Sequence, residues 1–221
     1  KALWYPGLFT SHDGPHQVVR LYYYNEALAD GQFPPRYILQ SLHGFGYPLF
    51  IFSYHLPWLL AMPFLWLGLS IYDCLKLLFA LSFVLSAFTM YFWQRSLWGS
   101  RLAGFFDAFL YLFAPYRFSD IFVRGSLGEA WSFVFLPLVF YGLQGQALRK
   151  ALRKARTALD TKRLLLGALG LAGLILSHLL VFMLALPAIL LWWLFCSLRE
   201  WPRPRRGLSR SVMVLSLGFG S

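Results

Sequence analysis

The residues equipped for chemistry fall in short polar stretches between long apolar ones. The first is Ser11-His12-Asp13-Gly14-Pro15-His16. Pro after Gly suits the first position of a helix. Asp13 therefore stands where the positive end of a helix dipole favours an anionic side chain. A carboxylate at a membrane face has the means to take a proton from a hydroxyl or to hold a divalent cation. The same residue types also make a plain helix-entry turn. His12 and His16 are metal-ligand types at i, i+4, but Gly14-Pro15 separates them and no third ligand is evident, so the metal is left unknown.

The second stretch runs from Pro115 to Glu129 and holds Arg117, Asp120, Arg124 and Glu129. Guanidinium forks suit a lipid phosphate, with the acids orienting them. The alternative is boundary charge that only reaches towards water, with Glu129 as a helix-start acid. Arg36, after Pro35, is either a further phosphate ligand or a solvated loop charge. Gly44-Phe45-Gly46-Tyr47-Pro48 and His55-Leu56-Pro57 shape either a groove or a hinge. Asp107 is an acid inside an apolar run, which makes it a functional suspect. His178 fits a helix hairpin.

Something must hold these stretches in place, and the composition says what. The 221 residues are 58% hydrophobic, 19% aromatic and 13% charged, against roughly 25% charged in an ordinary soluble domain. One soluble core of this size cannot bury so much apolar surface, so a polytopic all-α membrane protein is expected. The formal charge is +11. Of the 20 Lys and Arg, 14 lie in Arg95–Arg101, Arg149–Arg163 and Arg199–Arg210, between apolar runs, as cytoplasmic loops do. Base-stacking aromatics are not interleaved with them, which argues against a nucleic-acid partner.

Val18, Leu21, Tyr22, Asn25 and Leu28 form one stripe, and Gly31 with Pro34-Pro35 stops it. A helix over about 15–30, too short and polar to span, lies along the interface. The run 47–69 carries Pro48, Pro57 and Pro63, which suits a broken, re-entrant segment. Residues 1–72 are expected to form one external unit resting on the membrane. Residues 73–221 supply spans at about 73–94, 102–118, 129–148, 164–178 and 180–198, with a truncated one at 212–221. With the basic stretches inside, Asp13 and the 116–128 connection share the outer face. Cys74 and Cys196 fall near opposite faces and should not pair.

The strings His12-Asp13-Gly14-Pro15-His16, Arg20-Leu21-Tyr22, Gly31-Gln32-Phe33-Pro34-Pro35-Arg36, Gly44-Phe45-Gly46-Tyr47-Pro48, Phe113-Ala114-Pro115-Tyr116-Arg117 and Val123-Arg124-Gly125-Ser126-Leu127-Gly128-Glu129 resemble a bacterial group. Its members are labelled 6-pyruvoyl-tetrahydropterin-synthase-related membrane proteins, and the group is similar to the GT-C glycosyltransferase superfamily. The resemblance covers most of residues 6–145. It implies a bacterial cytoplasmic-membrane enzyme, multi-pass, with its active face periplasmic or extracellular and an external loop of interfacial helices after a first span that would precede Lys1. Later spans would follow Ser221.

It further implies inverting transfer of a sugar from a polyprenyl-phosphate donor. Asp13 would be the base, and Arg36, Arg117 and Arg124 would hold the donor phosphate. His12, His16, Asp120 and Glu129 would orient groups or meet the acceptor. A divalent cation is a possible cofactor. The paired acidic motif of many GT-C loops is absent at Asp13. A lipid-carrier transporter or flippase, marked by paired broken helices, and a non-catalytic scaffold are the alternatives.

Overall fold

The computed structural model describes residues 7–144 and 158–199. It consists of α1 (Gly14–Ala29), α2 (Leu56–Trp66), α3 (Ile71–Trp98), α4 (Arg101–Leu112), α5 (Pro115–Phe118), α6 (Leu127–Leu143), α7 (Ala158–Ser177) and α8 (Leu179–Arg199). Tight 3-10 turns lie at Leu42–Gly44 and Leu49–Ile51, and a wide π-type turn covers Ser119–Arg124. Strand-like pairing among the described residues is limited to one isolated bridge between Ile38 and Tyr47. The chain is all-helical, as composition and periodicity imply. The expected span at 212–221 and most of the two longer basic stretches lie outside the described residues.

Local chemistry sets the helix ends. Pro15 starts α1, and Gly31 lies beyond its last turn with φ +83°. The Ser70 hydroxyl caps α3 by accepting from the Asp73 amide at 3.2 Å. Gly99, left-handed at φ 67°, closes α3, and Ser100 caps α4 two residues after Trp98. A tight antiparallel hairpin results.

α3 has 28 residues and is about 42 Å long, enough to cross a hydrocarbon core of about 30 Å. α8 also qualifies over Leu179–Cys196. Only 28% of the apolar window of α3 and 11% of that of α8 are buried. A core helix of a soluble protein would be mostly covered, so these two present their apolar faces outward. α2, with 11 residues, is too short to cross, in keeping with the proline-interrupted reading of 47–69.

The helices alternate in direction. Tyr111 donates to the Phe133 carbonyl at 2.9 Å, and Trp93 stacks on Phe140 with centroids 4.9 Å apart. Trp192 donates to the Phe140 carbonyl at 3.2 Å. Thus α3, α6 and α8 run one way, and α4 and α7 run the other. α6 and α7 approach closely because Gly142 faces Gly167. A Cβ on Gly167 would lie 2.7 Å from the Gly142 Cα, the small-residue packing that membrane helices favour. Arg95, Arg101 and Arg163 gather at one end, where Arg163 donates to the Ser96 hydroxyl at 3.0 Å. Asp13, Arg124 and His178 gather at the other.

The segment before α3 packs on that second end. Leu21 and Tyr24 of α1, Phe50, and Trp58 of α2 join Leu75, Leu78 and Phe79 of α3 and Leu127 and Trp131 of α6 in one buried cluster. No disulfide joins Cys74, near the start of α3, to Cys196, near the end of α8.

One expected element is corrected. Residues 102–118 do not form a single span, because α4 stops at Leu112 after 12 residues, about 18 Å. Pro115 cannot continue the ladder and opens the separate turn α5. The chain then climbs through the π-type turn between α3 and α6 rather than looping freely outside.

Candidate functional site

The start of α1 is tied to the π-type turn through the backbone. His12 N–H donates to the Val123 carbonyl at 2.9 Å, and Asp13 N–H to the Arg124 carbonyl at 2.7 Å. Gln17 extends the seam, its side-chain amide donating to the Gly125 carbonyl at 2.9 Å. Gly125 has φ +71°, and a Cβ there would run into the Ser11 hydroxyl. The left-handed turn and the close approach both need glycine. Asp13 and the Arg124 segment, expected at one face, do meet.

Asp13 occupies the N-cap position of α1, yet its side chain makes no capping bond. It is half-buried. The helix-entry reading would have the carboxylate engaged with the first-turn amides. Instead it remains available.

Arg124, whose carbonyl accepts from the Asp13 amide, anchors a charged cluster. Its Nη1 donates to Glu129 Oε2 at 2.9 Å and to the Tyr116 hydroxyl at 3.0 Å, while Tyr116 donates to the same Oε2 at 2.8 Å. These contacts all use Nη1, so the other edge of the fork has donors left for an anion. The Arg124 side chain is 44% exposed and that of Glu129 10%. Glu129 thus fixes the arginine rather than merely starting α6.

Asp120 is fully buried, 3.6 Å from Arg124 Nη1, and neither carboxylate oxygen has a hydrogen-bond partner. Burial, and then the neighbouring Glu129, push its pKa up to about 8. An acid near 3.9 when unfolded and near 8 when folded binds more protons in the folded state across that window. Its contribution to stability is present at low pH and lost as pH rises through about 8. Asp120→Asn should therefore flatten the decline in melting temperature between pH 5 and 9. Parallel wild-type and mutant profiles would contradict a protonated Asp120.

Arg117 is a correction to the expected phosphate set. It is 1% exposed, with its guanidinium 4.5 Å from the Phe133 ring centroid and within 6 Å of those of Phe83 and Tyr111. Its Nη2 donates to the Ser86 hydroxyl at 3.0 Å. Aromatic faces and one hydroxyl surround it, and its Nε and Nη1 are buried without a hydrogen-bond partner. Asp120, equally enclosed, does not reach an acceptor either.

A cavity of about 800 Å³ adjoins the cluster, lined by Arg20, Tyr54, His55 and His178 and by apolar residues such as Leu179 and Met183. The Tyr54 hydroxyl donates to Gln17 Oε1 at 3.0 Å, so Gln17 links the cavity's Tyr54 to the Gly125 turn. Burial lowers the pKa of His55 and of His178. His178 also feels Glu129 and Arg124. Arg36 is exposed, takes no part in the Arg124 contacts, and its charge is felt at His55. His12 and His16 are exposed beside Asp13.

Gln17, Arg20, Tyr54 and Tyr116 were not singled out by sequence. Gln17 carried a usable signal, a polar residue facing inward from a helix whose other inward residues are Gly14, Leu21, Tyr24 and Ala27. Among the described residues no group of three or more His, Cys, Asp or Glu side chains is placed to share a metal ion.

No family model matches the chain, and no solved structure matches it. A protein of Lactococcus lactis subsp. cremoris (strain MG1363), described as uncharacterized, is 25% identical over 197 residues, covering 87% of this chain. The chain spans 30% of that relative's length.

Proposed function

We propose that this chain is the Asp13-bearing part of a multi-pass GT-C-type glycosyltransferase of a bacterial cytoplasmic membrane, acting on its periplasmic or extracellular face. The observation that carries the reading is the uncapped carboxylate of Asp13, whose amide bonds the carbonyl of Arg124, a residue with part of its guanidinium unused. A base and an anion holder on one scaffold suit a displacement in which a hydroxyl attacks and a phosphate leaves. Asp13 takes the acceptor proton, and the acceptor oxygen bonds to the anomeric carbon with inversion. The bond from that carbon to the donor phosphate oxygen breaks, and Arg124 meets the charge left on the phosphate. Arg36 reaches the same donor from the cavity side, whose apolar wall suits a polyprenyl chain. Glu129 and Tyr116 position Arg124. Arg117 and Asp120 set the turn from inside, and His12 and His16 flank the acceptor.

The carrier reading draws on a second interrupted helix, since α4–α5 is broken as well as the stretch leading into α2. Full-length protein in vesicles loaded with a labelled polyprenyl-phosphate sugar separates the two. Transfer releases polyprenyl phosphate in proportion to sugar moved. Carriage delivers the intact donor to the opposite leaflet and would replace the enzyme reading.

The face is tested with a single cysteine at exposed His16, in a chain lacking Cys74 and Cys196. An impermeant maleimide should label His16→Cys in intact cells. Labelling only after permeabilisation would reverse the topology.

A further inference from the structure

The cavity that Gln17 links to the Gly125 turn carries one fixed charge. Among the described residues on its wall Arg20 is the only Lys or Arg, and none is Asp or Glu. Arg20 takes part in none of the ion pairs found among the described residues. Its helix neighbours at positions 16, 17, 23 and 24 are His, Gln, Tyr and Tyr, so α1 offers it no acid one turn away. What meets Arg20 instead is Tyr54, whose hydroxyl feels its charge and a side-chain hydrogen bond from it. That hydroxyl gives its own proton to Gln17, so it offers Arg20 an acceptor and no counter-charge. A guanidinium has five N–H donors, and one phenol oxygen leaves most of them for an anion.

The rest of the wall supplies a further donor and a lipid-side surface. His178 accepts from the Val181 amide at 3.3 Å through Nδ1, which leaves the proton of the neutral ring on Nε2. Leu179, Leu180 and Met183 begin α8, and all three are exposed. As α8 is one of the two helices fit to cross the membrane, with 11% of its apolar window buried, this side of the cavity is continuous with the surface that faces lipid. Ile51 and Phe52, the latter 85% exposed, extend the apolar wall from the segment before α2. The wall therefore calls for an amphiphile with one anionic head at Arg20 and a hydrocarbon tail leaving along α8. The volume of about 800 Å³ is that of a small-ligand site, enough for the head and the start of the tail.

We infer that Arg20 holds the phosphate of a polyprenyl-phosphate lipid in this cavity, with the tail laid against Leu179, Leu180 and Met183 and running on into the bilayer. The polyprenyl identity of the tail rests on the sugar-transfer reading, whereas the anionic head and the lipid-side wall do not. A guanidinium fork matches phosphate oxygens. Arg20 follows Asp13 by seven residues, on the same stripe of α1 and about 10 Å along it. The donor phosphate is thus held two turns from the base, with the anomeric carbon between them. Gln17, bonded to both Tyr54 and Gly125, joins the Arg20 side of the site to the Arg124 side.

The test is equilibrium binding of radiolabelled polyprenyl phosphate to the purified full-length protein, with polyprenol, dioctanoyl phosphatidylglycerol and inorganic phosphate as competitors. Each competitor is expected to be at least about tenfold weaker than unlabelled polyprenyl phosphate, polyprenol by the weight of one charge-assisted contact. Arg20→Gln should weaken polyprenyl-phosphate binding about tenfold or more and leave polyprenol binding unchanged, so that the variant no longer tells the two apart. Polyprenol competing as well as polyprenyl phosphate on the wild-type protein overturns the phosphate site, and needs no variant should Arg20→Gln misfold. Undiminished binding by Arg20→Gln, or an equal loss of polyprenol binding, overturns the role of Arg20. Phosphatidylglycerol competing equally overturns the polyprenyl assignment in favour of a general phospholipid site, and inorganic phosphate competing equally overturns the lipid. Because the probe carries no sugar, Arg20-dependent binding without any sugar transfer would count against the enzyme reading and leave this inference standing. Transfer with an unchanged donor KM in Arg20→Gln would do the reverse.

Discussion

Asp13→Asn is expected to leave the protein folded and its donor affinity intact while transfer falls by about a hundredfold or more, the usual scale for losing a general base. Folding survives because the structural work at this position is done by the main chain. The Asp13 amide bonds the Arg124 carbonyl, and the Asp13 carbonyl accepts from Gln17 N–H at 2.9 Å. The side chain caps nothing, and Asn is nearly isosteric. The donor's phosphate meets cations elsewhere, so its KM should hold while kcat falls. Steady-state kinetics on the full-length enzyme checks this. An Asp13→Asn enzyme with undiminished kcat would remove Asp13 as the base and leave the Asp13–Arg124 seam untouched.

Arg124→Ala should act on the other end of the displacement and raise the donor KM by about tenfold or more, the weight of one charge-assisted phosphate contact. It carries a second effect. Glu129 is left with Tyr116 but without its cation, and losing a charged hydrogen bond costs about 1.5–3 kcal/mol of stability. The two effects separate in the double variant Arg124→Ala/Glu129→Gln, which removes the stranded charge. Stability should recover towards wild type while the donor KM stays high. Recovery of both would mean that Arg124 supports the turn and holds no anion.

Much of the site's placement was legible because it rests on local signals. Gly14-Pro15 begins α1, and Gly31 with Pro34-Pro35 ends it. Pro48 and Pro57 interrupt 47–69 as far as the first turn of α2, although α2 runs on through Pro63, and the spread of Lys and Arg puts Asp13 and the Arg124 segment at one end. The structure joins them through His12–Val123 and Asp13–Arg124.

What the sequence hid depends on residues far apart along the chain. Leu102–Phe118 reads as one apolar run, and only Pro115 hints that the helix halts half-way. Arg117 looks like a boundary charge until Phe83, Tyr111 and Phe133, from three different helices, are seen around its guanidinium. Gln17 reaches Gly125 across 108 positions, a distance over which helical periodicity says nothing. Glu129 has the same sequence signature whether it caps α6 or holds Arg124, and only the 2.9 Å contact separates the two. Asp107 was visible as an acid in an apolar run, but the Trp98 indole that donates to it at 3.1 Å comes from α3.

The most direct measurement is transfer of a radiolabelled sugar by the full-length protein from a panel of polyprenyl-phosphate donors into the extracytoplasmic acceptor fraction. At least one donor is expected to give labelled product together with free polyprenyl phosphate, and Asp13→Asn to abolish both while still binding that donor. A folded, membrane-inserted protein that releases neither product from any donor of the panel would contradict a glycosyltransferase built on Asp13 and Arg124.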